Sequence, residues 1–204
     1  MIGVIDYGAG NLRSVCNSLK KLSVNSTLIR SPEDIKDISS IIFPGVGSFG
    51  DSSEQLKKQR LFDPIKSWLK EDRPFLGICI GFQMLFEKSD ESPNSDGFGI
   101  IRGKVVRFPE ENLLKVPHMG WNEIKFENSS DPIWQGIKTS THFYFVHSYY
   151  FKIKEKNRVY ANTNYNHKIP AVIAKDNYVG VQFHPEKSSF SGQKLISNWL
   201  MWKP

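Results

Sequence analysis

The sequence is poor in cysteine: Cys16 and Cys79 allow one bridge at most, so a disulfide-stapled scaffold is excluded. It has no run of about 18 apolar residues, which excludes a membrane-crossing helix. The opening Met1-Ile2-Gly3-Val4-Ile5-Asp6 has no basic start, and Asp6 interrupts it too early for a secretion signal. Low-complexity tracts and internal repeats are also missing. A reducing, cytoplasmic setting is therefore expected, with no membrane partner, and the glycosylation-like triplets at Asn25 and Asn128 carry no meaning there.

Metal-ligand spacing is missing too. His118, His142, His147 and His167 fall in no pattern with cysteines or carboxylates, so no metal and no cofactor are expected, and these histidines read as core-edge or surface residues. Charge of one sign is not concentrated either. The net charge is +6, but Lys20-Lys21, Lys57-Lys58 and the Lys152, Lys154, Lys156 alternation lie scattered among acids such as Asp51, Glu54 and Glu155. Nucleic-acid binding wants basic residues clustered with exposed aromatics, so it is not expected. A basic patch that attracts a phosphorylated substrate or an acidic partner protein stays open.

What is present is an alternation of short apolar runs with helical periodicity. Residues 2–5 read as a buried strand, and Leu12, Val15, Cys16, Leu19 and Leu22 share the next helical face, which makes Cys16 a small buried structural residue. Strands follow near 26–30 and at Ile41-Ile42-Phe43, helices over 51–58 and 61–71, and a strand from Pro74 to Ile78. Such alternation predicts a mainly parallel sheet covered on both faces. The second half reads as strands at 103–107, 120–126, 142–149, 157–163, 170–175 and 178–183, with a hairpin at Asp176-Asn177 and a helix over 190–202. The expectation is one α/β domain over 1–204: a mixed, mainly parallel sheet flanked by helices, with an antiparallel extension. Chemistry in such sheets sits beyond the carboxyl ends of the strands.

Gly77-Ile78-Cys79-Ile80-Gly81 lies between a strand and the helical pattern Phe82–Phe86. That is the context of a nucleophile elbow with cysteine in place of serine. The flanking glycines fit a tight turn in which side chains would collide with neighbouring strands. A helix N-terminus beside the sulfur favours thiolate, the reactive form, and the Ile80 N–H points where an oxyanion forms. Downstream, a strand ends in His184-Pro185-Glu186. A cysteine nucleophile needs an imidazole to move its proton, and the imidazole needs a group that fixes its tautomer. Glu186 reaches back to His184 if Pro185 holds the chain extended. The three form a triad in the order Cys, His, Glu.

Gly77-Ile78-Cys79-Ile80-Gly81-Phe82-Gln83 together with His184-Pro185-Glu186-Lys187-Ser188 resembles the class I (triad) glutamine amidotransferases. Asp6-Tyr7-Gly8-Ala9-Gly10-Asn11, Pro44-Gly45-Val46-Gly47 and Pro117-His118-Met119-Gly120-Trp121-Asn122 narrow the resemblance, which spans the whole chain, to the glutaminase subunits of imidazole glycerol phosphate synthases. It implies that Cys79 forms a glutamyl thioester with L-glutamine, that His184 shuttles protons and that Glu186 orients His184. It further implies that the Val46 and Ile80 backbone amides make the oxyanion hole, Val46 after a backbone reorientation. Gly47, Gln83, Glu91, Ser148 and Tyr149 match positions that hold the substrate's amino and carboxylate ends. Asn11, Met119, Trp121 and Lys187 match the interface with a (β/α)8 cyclase subunit, which receives the ammonia in a heterodimer of histidine biosynthesis. Ile80 and Phe82 stand where the family more often has Leu and Met, a change of pocket shape rather than of chemistry.

Other readings compete. A paralogous glutaminase serving a cyclase-like synthase of nitrogen-bearing cell-surface sugars keeps the same triad and interface motifs. Gly8-Ala9-Gly10 suggests a phosphate loop, but Arg13 stands where the third glycine belongs and no acid follows the second strand. A cysteine peptidase shares the elbow. A catalytically dead scaffold disagrees with an intact triad.

Overall fold

The computed structural model describes residues 1–8, 11–109, 114–153 and 156–202. Ala9, Gly10, Lys154 and Glu155, which figure in the motifs above, lie outside the described residues. In chain order, β1 (Ile2–Ile5) leads to α1 (Leu12–Lys21), β2 (Ser26–Ile29), β3 (Ser40–Phe43), α2 (Phe49–Lys58), α3 (Phe62–Lys70) and β4 (Phe75–Ile78). A single helical turn, α4 (Ile80–Gln83), comes next. Then follow β5 (Phe86–Ser89), β6 (Ile101–Arg107), β7 (His118–Glu123), β8 (Lys125–Phe126), β9 (His142–His147) and β10 (Tyr149–Ile153). The chain closes with β11 (Val159–Tyr165), β12 (His167–Lys175), β13 (Tyr178–Val181) and α5 (Ser189–Met201).

The main sheet has the order β2-β1-β3-β4-β13-β12-β11-β8. β2, β1, β3, β4 and β13 run parallel, whereas β12, β11 and β8 form the antiparallel extension. Every residue of β1, β4 and β13 is buried, because helices cover both faces. Successive side chains alternate between two cores, as the strand period of two requires. Val4, Ile42 and Ile78 meet Val15 and Leu19 of α1 and Leu195, Ile196 and Trp199 of α5. Ile5, Ile41 and Phe43 meet Leu56 of α2 and Ile65 and Trp68 of α3. Each such side chain contributes about 1.5–3 kcal/mol when fully buried. The short sheets β10-β6-β5 and β7-β9 stand beside the main sheet and wall the site.

Away from the site, three expectations need correction. The pattern Phe82–Phe86 does not continue a helix: α4 is one turn and Phe86 opens β5. Carbonyls that would extend the helix are taken instead, since Phe98 N donates to Met84 O at 2.7 Å and Ile100 N to Leu85 O at 2.9 Å. Cys16 is only half-buried, at the edge of the α1 core. The stretches 120–126 and 142–149 each divide, into β7 with β8 and into β9 with β10, the second at Ser148. The Asp176-Asn177 hairpin between β12 and β13 is as read.

Candidate active site

Cys79 follows the last residue of β4 and adopts φ +52°, ψ −101°, a left-handed conformation that costs a non-glycine residue about 1–3 kcal/mol. Three backbone bonds hold it there. Cys79 N donates to Val181 O at 2.8 Å, and Cys79 O accepts from Phe82 N at 3.1 Å and Gln83 N at 3.0 Å. The flanking glycines are sterically required. A Cβ on Gly81 would lie 2.0 Å from the Phe43 carbonyl oxygen of β3, and one on Gly77 would lie 2.6 Å from the Gly81 carbonyl oxygen.

His184 lies beyond the carboxyl end of β13, anchored by its N–H to Tyr144 O at 2.9 Å. Its Nδ1 meets Glu186 Oε1 at 2.8 Å, and both side chains are buried. An ionised carboxylate only accepts, so Nδ1 carries the proton and Nε2 is left for the sulfur. Pro185 does not hold an extended chain, as the sequence suggested. It opens a 3-10 turn, Pro185–Lys187, which folds Glu186 back onto the imidazole. Ser188 locks that turn, donating to His184 O at 2.6 Å and accepting from Tyr144 N at 3.0 Å.

Nε2 of His184 is buried and has no hydrogen-bond partner. Catalytic contacts are often long in the absence of substrate and tighten when it arrives. Burial by itself lowers the basicity of His184. The charge of an ionised Cys79 and the Glu186 bond outweigh burial and raise the pKa to about 10. Around the sulfur, Gln182 Nε2 lies at 3.6 Å and the Val146 carbonyl at 3.9 Å.

Cys79 opens into a cavity of about 260 Å³. Val46, Gly47, Ile80, Gln83, Glu91, Ser148 and Tyr149, each singled out in the sequence, all line it. His184 and Glu186 are not among its lining residues. Glu91 reaches the wall from the β5–β6 connection, its Oε2 accepting from Phe49 N at 2.7 Å. Burial pushes its carboxyl up, opposed by the Phe49 N–H and assisted by Asp51. Gly47, at φ +129°, occupies a region that disfavours a side chain. Beside it, the buried Tyr7 hydroxyl donates to the Val46 carbonyl at 3.3 Å. Burial holds that phenol well above its usual pKa, with Ser52 opposing and Cys79 adding, so it remains a donor.

Outside the cavity, Met119 and Trp121 are 66% and 53% exposed, too open for core residues. The Trp121 ring meets the Tyr144 ring edge-on at 6.2 Å, and Lys187 Nζ lies 5.8 Å from the centre of the same Tyr144 ring. Asn11 precedes the first residue of α1 and makes no side-chain cap bond; its Oδ1 accepts from Ser14 Oγ at 2.8 Å.

Sequence reasoning missed Tyr7, Pro117, Val146, His147 and Gln182, all of which border the sulfur, the Val46–Gly47 segment or the cavity. Gln182 was within reach, two residues before His184 on the same strand side. His118 and His147, read as core-edge or surface, are instead buried at 3% and 5% exposure and bonded to each other, whereas His142 is exposed. The described residues contain no group of three His, Cys, Asp or Glu able to hold a metal ion, and no helix long and apolar enough to cross a membrane.

The chain has relatives along its full length. Subunit HisH of imidazole glycerol phosphate synthase from Caldanaerobacter subterraneus is 45% identical over 199 residues, covering 98% of this chain and 97% of that protein. The Bacillus subtilis protein of the same name is 45% identical over 204 residues, with 98% and 95% covered. Among solved structures, a glutamine amidotransferase superposes with a TM-score of 0.77 at 18% identity, covering 98% and 97% of the two chains. PurLQS from Thermotoga maritima gives the same score, identity and coverage, a likeness of fold. The model of the class-I glutamine amidotransferase family matches residues 3–202, and the chain belongs to that family.

Proposed function

We propose that the chain is the glutaminase subunit of an imidazole glycerol phosphate synthase, releasing ammonia from L-glutamine for a cyclase subunit in histidine biosynthesis. The observation that carries the chemistry is the buried His184–Glu186 pair, at 2.8 Å, on the strand end next to that of a strained Cys79 that lines a cavity. The pathway rests on the likeness to HisH subunits over nearly the whole of both chains.

In this reading Gly47, Gln83, Glu91, Ser148 and Tyr149 hold the amino and carboxylate ends of glutamine. Cys79 Sγ, its proton passed to His184 Nε2, attacks the carboxamide carbon. The developing oxyanion is met by the Ile80 N–H and, once its peptide turns inward, the Val46 N–H. His184 returns the proton to the departing nitrogen, leaving a glutamyl thioester and ammonia. Water, deprotonated by the same imidazole, then releases glutamate and restores the thiol. Glu186 keeps Nδ1 protonated throughout and supports the imidazolium.

Met119 and Trp121 form the centre of the docking face, with Lys187 and Asn11 at its rim. Exposed Met and Trp beside a reactive strand end are unusual for a free-standing surface and common at the centre of interfaces. Central tryptophans contribute about 2 kcal/mol or more to binding. Trp121→Ala is therefore expected to weaken cyclase binding roughly 30-fold, with thermal stability nearly unchanged. Titration of labelled cyclase subunit checks it. Unchanged affinity with unchanged ammonia transfer would remove Trp121 from the docking face.

A further inference from the structure

β7 and β9 place His118 directly opposite His147. His118 is sandwiched between two rings, Phe145 at 4.7 Å and Tyr165 at 4.0 Å, both within about 22° of parallel. Its orientation is thus fixed by packing before any hydrogen bond forms. Three polar contacts then run in line. Asn122 Nδ2 lies 3.1 Å from His118 Nε2, His118 Nδ1 lies 2.9 Å from His147 Nε2, and His147 Nδ1 lies 2.7 Å from the Tyr149 carbonyl oxygen.

The proton positions follow by elimination. A carbonyl oxygen only accepts, so His147 Nδ1 must carry hydrogen. Burial keeps His147 neutral, pushing it down to about 3 despite the Tyr149 carbonyl, with His118 and His184 also disfavouring charge. Burial likewise lowers His118 to about 4. His147 Nε2 is then an acceptor, which makes His118 Nδ1 the donor and His118 Nε2 the acceptor for Asn122. The Asn122 amide is itself oriented: its nitrogen donates to Asn164 O at 2.9 Å and its oxygen accepts from Glu123 N at 2.8 Å. Every ring nitrogen of the pair is used once, and all three donors point the same way, from β7 towards Tyr149.

The two ends of the row have different neighbours. One is β7, where Met119 and Trp121 project outward between the inward-facing His118 and Asn122. The other is the Ser148–Tyr149 segment, which lines the cavity beside Cys79.

We propose that His118 and His147 are positioning residues that fix the Tyr149–Tyr150 peptide, and with it the Ser148–Tyr149 segment, for glutamine binding and couple it mechanically to the docking strand β7. This rests on the glutaminase reading and, for the coupling alone, on the cyclase partner. A displacement of β7 on docking reaches the peptide through a stacked ring and two short bonds rather than through a flexible loop. Both imidazoles serve as neutral linkers, and proton transfer at the site is left to His184.

The test uses the purified chain with and without saturating cyclase subunit, reading glutamate release against glutamine concentration. His118→Phe preserves the stack and removes both nitrogens; His118→Asn restores a donor near the Nδ1 position. The expected result for His118→Phe is a roughly tenfold rise in KM that exceeds any fall in kcat, and a loss of most of the stimulation by cyclase. Cyclase affinity should be unchanged, and His118→Asn should recover much of the KM. Wild-type KM and stimulation in a folded His118→Phe protein would overturn the proposal, as would a loss confined to kcat. If that variant does not fold, Asn122→Leu, which leaves both rings in place, carries the coupling test: stimulation should fall at unchanged affinity, and full stimulation would refute the coupling. Absence of stimulation in the unaltered protein would instead overturn the partner assignment, while the KM comparison still decides the positioning role.

Discussion

Cys79→Ala is expected to lower glutamine hydrolysis at least about 10,000-fold, since losing the nucleophile of a triad removes the covalent route altogether. The fold should survive. The substitution deletes only a sulfur whose contacts to Gln182 Nε2 and the Val146 carbonyl are long, at 3.6 and 3.9 Å, and alanine tolerates φ +52° about as badly as cysteine does. The strain at the elbow is maintained by β4, β13 and α4, all of which remain. Thermal unfolding should therefore change little while glutamate production vanishes. Hydrolysis near the unaltered rate would show that some other group attacks glutamine.

Glu186→Gln should cost less, roughly 100- to 10,000-fold in kcat, because this residue orients the imidazole and does not react. Its effect on pH dependence is more diagnostic. Burial opposes charge on His184, but the Cys79 charge and then the Glu186 bond raise its pKa from 6.5 to about 10. A raised value means the imidazolium persists as pH climbs and is lost as pH passes through the folded-state pKa. Its contribution to stability is likewise complete below about 6.5 and disappears towards 10. Glutamine is isosteric but uncharged, so the alkaline limb of the rate profile should move towards neutrality, and the added stability should be lost at lower pH. A pH–rate series on both proteins measures this. An unmoved limb, or a loss as large as that of Cys79→Ala, would remove Glu186 from its orienting role.

Much of this site was legible in the sequence, for specific reasons. Gly77 and Gly81 mark the elbow because backbone from β3 and α4 occupies the space where their side chains would be. β1 and β3 declare themselves as continuous apolar runs because helices cover both faces of the sheet. His184 and Glu186 stand two apart in one motif. The losses also have physical causes. Phe82–Phe86 has helical periodicity, yet backbone N–H groups from 98–101 compete for the Met84 and Leu85 carbonyls, a long-range outcome no local pattern carries. His118 and His147 are 29 residues apart, and only the β7–β9 pairing joins them. Tyr7 reaches Val46 across 39 residues of chain. Glu186 was found although the chain geometry expected for it was wrong, since a 3-10 turn delivers the same contact as the extended segment envisaged.

The arrangement also separates its tasks. The parallel half of the sheet supplies Cys79 and His184 at adjacent strand ends, while the small β7–β9 sheet supplies both a wall of the cavity and the exposed Met119 and Trp121. The exposed pair on β7 thus belongs to the same sheet that borders the cavity.

Glutamate release by the purified chain, alone and with the cyclase subunit from the same organism, in the presence and absence of that subunit's nucleotide substrate, tests the central claim most directly. The account predicts slow hydrolysis alone and strong stimulation by cyclase and nucleotide together, lost entirely in Cys79→Ala. Glutamine turnover that ignores that pair would contradict the assignment to this synthase, and no turnover under any of these conditions would contradict the glutaminase chemistry itself.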